Sequence, residues 1–383
     1  MRHHARTCTM LAPGLLALAL PAAAQFPGVT MPPSGDNQRA IVTQYIGPVS
    51  VTIDYHSPDV HAPDGEDRAG RIWGGLVPYG LTNLGFGTCG DGCPWRGGAN
   101  ENTVLTVSHD VEVEGQALRA GSYGLHLIPG QDEWTIIFSR NSTSWGSFFY
   151  DAREDALRVK AKPAKSEYHE WLTYEFVDRR PDKTTVALRW ENLQVPWTIR
   201  VPDINGVYVD AMRRELRSSP GFAWQNLNAA AQFCLRNKIN LAEALGWARE
   251  ATNTRTVGQE NFATLTTLSQ LLEANGKSAE ASQELSRALD HPTADPVSVH
   301  LYGRTLLAQK KANEAMKLFE LNARRHPGVW PTEVGLMRGY AALGQTTEAL
   351  EHARLALKQA PDEANRRNIE SMIKLLEQGK PID

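Results

Sequence analysis

The sequence predicts two structural modules, an all-β N-terminal domain and an all-α C-terminal helical repeat. Seven of the ten tryptophans precede residue 200, so the composition of the chain changes along its length. Short alternating strand patterns fill residues 40–200, whereas alanines recur at a fixed period in the last third. These observations place the boundary in residues 201–222, which we interpret as a linker.

Residues 40–200 contain short strand patterns separated by turn residues. The segment VSVTIDYHSP places Val49, Val51 and Ile53 on one face, because successive side chains of a strand point to opposite sides. Further segments of this kind follow, each bounded by Gly, Pro, Asp or Asn. Six or more such strands without a long helical pattern predict an antiparallel sandwich or barrel.

Three motifs in this half resemble a known family. They are Gly98-Ala99-Asn100-Glu101, Ala120-Gly121-Ser122-Tyr123-Gly124 and Trp145-Gly146. Together they make residues 40–200 similar to the bacterial domain of unknown function 2911. That family has no assigned activity, so the resemblance implies a secreted all-β domain and supplies no catalytic residues. The chain differs from the commoner form of the family by the insert LGFGTCGDGC.

The last third of the chain has an internal repeat. Ala281, Ala315 and Ala349 recur at a spacing of 34, since 315 minus 281 and 349 minus 315 are equal. This period indicates units of two antiparallel helices, in which a small residue allows close packing and a proline ends the second helix. Residues from about 225 to 378 therefore resemble the tetratricopeptide family, and the fold expected for them is a solenoid.

We expect the clearest units to begin near Phe262, Pro296 and Trp330. A weaker unit precedes them, so the predicted array covers residues 223–378 and ends in an amphipathic capping helix. A curved stack of helix pairs exposes a concave surface lined by the first helix of each unit. Such a surface is suited to a protein or peptide partner.

The N-terminus predicts export from the cytoplasm. Arg2 and Arg6 precede an apolar run, and PAAAQ offers small residues for cleavage before Gln25. Residues 1–24 thus have the pattern of a signal peptide, followed by a flexible leader at residues 25–39. We expect a periplasmic or extracellular protein with no transmembrane segment, because the apolar run is shorter than the roughly 20 residues that span a bilayer.

The charge of the chain argues against nucleic acid as a partner. The formal net charge is −3 and the sequence pI is about 6.4. Binding to phosphates requires a concentrated basic face, and the sequence shows none.

Cys89 and Cys93 are separated by three flexible residues, Gly90-Asp91-Gly92. Export favours oxidation, so we predict a local disulfide that shapes one loop. The alternative is a thiolate pair that binds a metal with two further ligands. Cys234 has the surroundings of a buried helix residue without chemistry.

A second group of candidate residues follows the first predicted strands. His56, Asp59 and His61 in HSPDVHAPDGED, together with His126, are of the types that bind zinc or iron. The competing interpretation is a surface turn, marked by prolines and a glycine, and a histidine packed in a strand. Both interpretations stay open at this point.

Asn100 and Glu101 form a polar pair where a strand begins. They either bond to the backbone of a neighbouring loop or, with His126, present polar groups to a ligand. The sequence does not separate these roles.

The sequence thus favours a secreted binding or scaffold protein rather than an enzyme, and no cofactor is expected. One alternative is a hydrolase assisted by a divalent metal at the His56, Asp59 and His61 loop. Another is a carbohydrate-binding β module that uses tryptophans such as Trp134 and Trp145, although the segment EWTIIF favours core packing for Trp134. No complete pair of nucleophile and base is present in the sequence patterns, so catalytic residues are not assigned.

Overall fold

The computed structural model describes residues 34–382. The predicted signal peptide, Cys8 and most of the predicted leader lie outside the described residues. Within the described range, residues 38–200 form antiparallel sheets and residues 204–377 form ten consecutive α-helices. The predicted fold class of two modules is confirmed.

Ten strands build the β domain. They are β1 (Gln38–Ile46), β2 (Val49–Ser57), β3 (Val104–Val107), β4 (Val111–Val113), β5 (Gln116–Leu118), β6 (Gly121–Ile128), β7 (Trp134–Ser139), β8 (Asp155–Ala161), β9 (Ala164–Val177) and β10 (Lys183–Arg200). One sheet has the order β1-β2-β3-β6-β7-β8 and the other the order β5-β4-β10-β9. All pairs are antiparallel.

The two sheets enclose one hydrophobic core. In β2 buried and partly exposed residues alternate, and Val51 and Ile53 are buried as the sequence pattern predicts. The same core contains Leu188 and Trp197 from β10 in the second sheet. Burial of the apolar side of each sheet therefore holds the sheets face to face, as in a sandwich.

Four tryptophans pack at one end of this core. The ring of Trp73 meets the rings of Trp95, Trp134 and Trp190 edge to face, with centroid distances of 5.9, 5.3 and 5.7 Å. Edge-to-face contact is a favoured geometry for aromatic pairs. Trp134 is therefore a core residue and not part of an exposed sugar platform.

The helical region consists of α1 (Ile204–Glu215), α2 (Trp224–Asn237), α3 (Leu241–Thr252), α4 (Phe262–Ala274), α5 (Ser278–Asp290), α6 (Pro296–Ala308), α7 (Ala312–Arg325), α8 (Trp330–Ala342), α9 (Thr346–Lys358) and α10 (Glu363–Glu377). Helices α4, α6 and α8 begin at the residues that the period predicts. None of the helices in residues 34–382 is long and apolar enough to cross a membrane.

The repeated alanines occupy equivalent buried positions. Ala281, Ala315 and Ala349 lie in α5, α7 and α9, the second helix of each pair, and all three are buried. The side chain of Phe319 fills the space beside α6 and α8, where a Cβ atom on Gly303 would lie 2.2 Å from its ring. Small residues thus allow the close helix packing that the spacing predicts.

The segment predicted as a linker contains a helix. Asp203 caps α1 by accepting a hydrogen bond from the backbone of Gly206. Ile204 and Val207 pack against the β core, whereas Val209 belongs to the core of the first repeats. Helix α1 is stabilised by its apolar contacts with both the β core and the first repeats. Its apolar pattern is too short for the sequence alone to distinguish this helix from a loop.

Candidate functional site

The structure places the predicted metal ligands with different partners. His61, exposed after β2, lies 2.9 Å through Nδ1 from Oε2 of Glu170. This hydrogen bond raises the pKa of His61. Asp59 is buried, and its Oδ1 lies 3.8 Å from Nη1 of Arg68. The loop thus makes contacts of the kind found in an ordered surface turn.

His56 on β2 and Glu101 in the loop before β3 come together, with 3.1 Å between His56 Nε2 and Glu101 Oε2. This contact joins two candidates from different sets, one proposed as a metal ligand and one as a ligand-binding residue. In residues 34–382 no three His, Cys, Asp or Glu side chains are arranged so that they could hold a metal ion. Metal binding stays a prediction for elemental analysis of the purified protein.

His126 lies inside the β domain. Its side chain is on β6, and the residue is 1% exposed. Nδ1 lies 2.9 Å from the hydroxyl of Ser147, and the ring packs edge to face against Tyr150 at 5.2 Å. Burial, and secondarily the charge of Arg96, lower the pKa of His126 to about 4. The imidazole is therefore neutral at pH 7, as expected for a packed and hydrogen-bonded histidine.

Arg96 is a functional candidate that the sequence patterns did not single out. Its Nη1 donates to the carbonyl of Asn100 at 2.5 Å, and its guanidinium lies 5.1 Å from the centre of the Phe148 ring. Gly146, at a φ of +56°, leaves room for it, since a Cβ there would lie 2.4 Å from Arg96 Cζ. The Trp145-Gly146 motif thus contributes to the position of Arg96.

Arg96 has no ion-pair partner among the residues that the structure describes. Its pKa is lowered, and burial is the cause. A partly buried guanidinium without a carboxylate is unusual, because desolvation of a charge is costly unless the charge is paired. An anionic group bound next to Arg96 would therefore compensate its charge.

A cavity of about 350 Å³ adjoins Arg96. Its polar lining includes Arg68, Arg96, Asn100 and Ser147. Its apolar lining includes Leu76, Val77, Leu84, Pro94, Trp95 and Trp190. Apolar walls with a few polar groups are typical of sites for small molecules. Among the predicted ligand-binding residues, Asn100 lines this cavity.

A second cleft, of about 380 Å³, is lined by His56, Glu101, Asp54 and Trp145. Trp145 is 51% exposed, in contrast to the buried Trp134. An exposed aromatic ring next to carboxylates and an imidazole presents a flat apolar surface with hydrogen-bonding groups around it.

Cys89 and Cys93 lie at disulfide distance, with 5.2 Å between their Cα atoms. Cys93 and Thr82 exchange two backbone hydrogen bonds of 3.0 and 3.1 Å. The cysteine loop therefore supports the segment that lines the cavity at Thr82 and Leu84. Cys234 is buried and free, as expected.

The helical repeat has a surface of mixed apolar and basic character on α6. Val297 and Leu301 are 50% and 52% exposed and lie one turn apart. Arg304 follows on the same helix, and Arg338 lies on α8, which packs against α6. Burial and then the charges of Arg338 and Arg304 lower the pKa of His300 to about 4. We call Val297, Leu301 and Arg304 the α6 face.

Comparisons with known proteins give a family match for the β domain and a similar solved structure. Residues 37–199 match the family described as "Protein of unknown function (DUF2911)", which confirms the resemblance seen in the motifs. No curated protein is a significant match. Among solved structures, YrrB, described as "a TPR protein with an unusual peptide-binding site", is similar at 19% identity. The match covers 44% of this chain and 84% of that chain, with a TM-score of 0.26.

Proposed function

We propose that this is an exported binding and scaffold protein whose helical repeats engage a protein or peptide partner. The observation that carries the proposal is the α6 face, on which two neighbouring aliphatic side chains are half exposed beside Arg304. Exposed apolar groups next to cations favour a partner segment with apolar and acidic side chains. The β domain then presents its own cavity and cleft at the other end of the chain.

A peptide-display selection against the immobilised protein tests the binding proposal. Selected peptides should bind the parent and lose about tenfold or more in affinity for Leu301→Asp, because the substitution places a charge in the contact. Leu355→Asp on α9 is the control, since Leu355 is also exposed but lies on the second helix of another unit. The proposal fails if no peptide is selected, or if Leu301→Asp binds the selected peptides as the parent does.

Export is a separate part of the proposal. It is supported by the pattern of residues 1–24 and by the cysteine pair at disulfide distance. When residues 1–24 are fused to a reporter enzyme that folds only outside the cytoplasm, they should direct its export and the reporter should be active. Replacing Leu15 and Leu16 by arginine should abolish reporter activity, because the apolar run is then interrupted. An inactive reporter on the parent sequence would contradict export.

Carbohydrate recognition by the β domain is the second candidate function. It is favoured by Trp145, whose ring is half exposed in the cleft that also contains Asp54 and Glu101. Glycan-array binding by the parent should be lost in Trp145→Ala and kept in Phe222→Ala, an exposed aromatic residue far along the chain. Equal glycan binding by both variants would exclude the Trp145 cleft.

A further inference from the structure

The cavity beside Arg96 combines one uncompensated cation with apolar walls. Arg68 also lines the cavity, but its guanidinium lies 3.8 Å from Asp59 and 3.3 Å from Glu66. Arg96 contacts a backbone carbonyl and an aromatic ring instead of a carboxylate. The net charge that a ligand would meet at this wall is therefore close to one positive charge.

Two aromatic rings belong to the remaining wall. Trp95 and Trp190 lie nearly parallel, with an interplanar angle of 13° and 6.4 Å between their centroids. Trp190 is almost fully buried, and its Nε1 has no hydrogen-bond partner among the described residues. Because Nε1 is itself buried, the Trp190 ring offers the cavity an apolar surface and no hydrogen-bond donor.

We propose that this cavity binds a small organic monocarboxylate. The carboxylate pairs with Arg96, and the apolar body of the ligand packs against Trp95, Trp190 and Leu84. A planar guanidinium matches the two oxygens of a carboxylate. A volume of about 350 Å³ is at the lower end of small-molecule sites, which suits a compact ligand.

The charge balance favours a carboxylate over a phosphate ester. A phosphate monoester carries close to two negative charges at neutral pH, whereas a carboxylate carries one. Arg96 supplies one unpaired positive charge, and the second arginine is already neutralised by Asp59 and Glu66. If a dianion bound in this cavity, one of its two negative charges would have no counter-ion. An unpaired charge is costly in a partly desolvated site.

Ligand-observed NMR and calorimetry on the oxidised full chain test the proposal. The probes are acetate, hexanoate and 3-phenylpropionate, with hexanamide, 3-phenylpropionamide and inorganic phosphate as comparisons. We expect affinity to rise from acetate to 3-phenylpropionate, because more apolar surface is buried. The amides should bind about tenfold or more weakly because they carry no charge, and inorganic phosphate should bind as weakly because it has no apolar body to pack against the wall.

Two variants connect the binding to the cavity. Arg96→Gln should weaken 3-phenylpropionate about tenfold or more, whereas Arg153→Gln, at an exposed arginine outside the cavity, should leave it unchanged. Leu84→Trp, at a partly exposed wall position, should reduce the affinity by filling the cavity even if Arg96→Gln fails to fold. No carboxylate binding at up to about 10 mM, equal binding of the amides, preferred binding of phosphate, or full binding by Leu84→Trp would each overturn the proposal.

Discussion

At the scale of single residues, glycines decide how closely two segments approach. Gly146 leaves space for the guanidinium of Arg96, and Gly303 leaves space for Phe319. In both cases the requirement is the absence of a Cβ atom, not the polarity of the residue. At position 246 in α3, packing does not require a glycine, because no atom lies within 4 Å of where a Cβ atom on Gly246 would be.

These surroundings predict opposite effects of the same substitution. Gly303→Ala should destabilise the repeat by about 1–3 kcal/mol, because the added methyl group overlaps the Phe319 ring. Gly246→Ala should stabilise it by about 0.5–1 kcal/mol, because alanine favours the helix and meets no neighbour. Urea unfolding followed by far-UV circular dichroism measures both. Equal effects of the two substitutions would contradict the proposed packing around Phe319.

The pKa of His126 makes a second prediction at this scale. Its value of about 4 in the folded protein lies below the 6.5 of a free histidine, because burial disfavours the imidazolium. Between these values the unfolded chain takes up a proton that the folded chain refuses. The contribution of neutral His126 to the free energy of unfolding is therefore fully present above pH 6.5 and is lost as the pH falls towards 4. The loss is about 3 kcal/mol at most.

His126→Gln should flatten this part of the pH dependence. The unfolding free energy of the β domain, followed by tryptophan fluorescence, should decrease less between pH 7 and pH 4 in the variant than in the parent. The buried Trp134 and Trp190 report on that domain. A variant as sensitive to pH as the parent would show that His126 does not remain neutral when folded.

At the scale of elements, helices and strands with a periodic pattern could be predicted from the sequence. The cavity, which is formed by residues distant in sequence, could not. The starts of α4, α6 and α8 follow from a repeated spacing, because each helix pair has the same packing requirement. The alternation in β2 likewise follows from one buried face. The cavity joins Arg96, Ser147 and Trp190, which are far apart in sequence, and no local pattern indicates that they meet.

In the cysteine loop, the sequence and the structure both indicate a disulfide between Cys89 and Cys93. Peptide mapping of the exported protein without reductant should find Cys89 bonded to Cys93 and Cys234 free. Replacing Cys89 and Cys93 by serine should cost no more than about 2 kcal/mol, because the closed ring is short. The local effect should be larger, with faster proteolysis of residues 82–93, since this loop supports Thr82. A bridge to Cys234 would contradict the local pairing.

At the scale of the whole molecule, α1 joins the two modules. The helix contributes Ile204 and Val207 to the β core and Val209 to the repeat core. The ring of Tyr208 lies 5.6 Å from that of Phe233 in α2, and its hydroxyl lies 2.8 Å from the position of a Cβ atom on Gly47. A short helix with apolar contacts on both sides restricts motion between the modules more than a flexible linker would.

Val207→Asp should uncouple the modules, because it places a charge against the β core without a partner. We expect faster proteolysis within residues 201–222 and a larger radius of gyration by small-angle X-ray scattering, while the helix content of the repeats stays unchanged. Arg214→Asp is the matched control, since residue 214 is exposed on the same helix. Cleavage and scattering identical to the parent would mean that α1 does not hold the modules together.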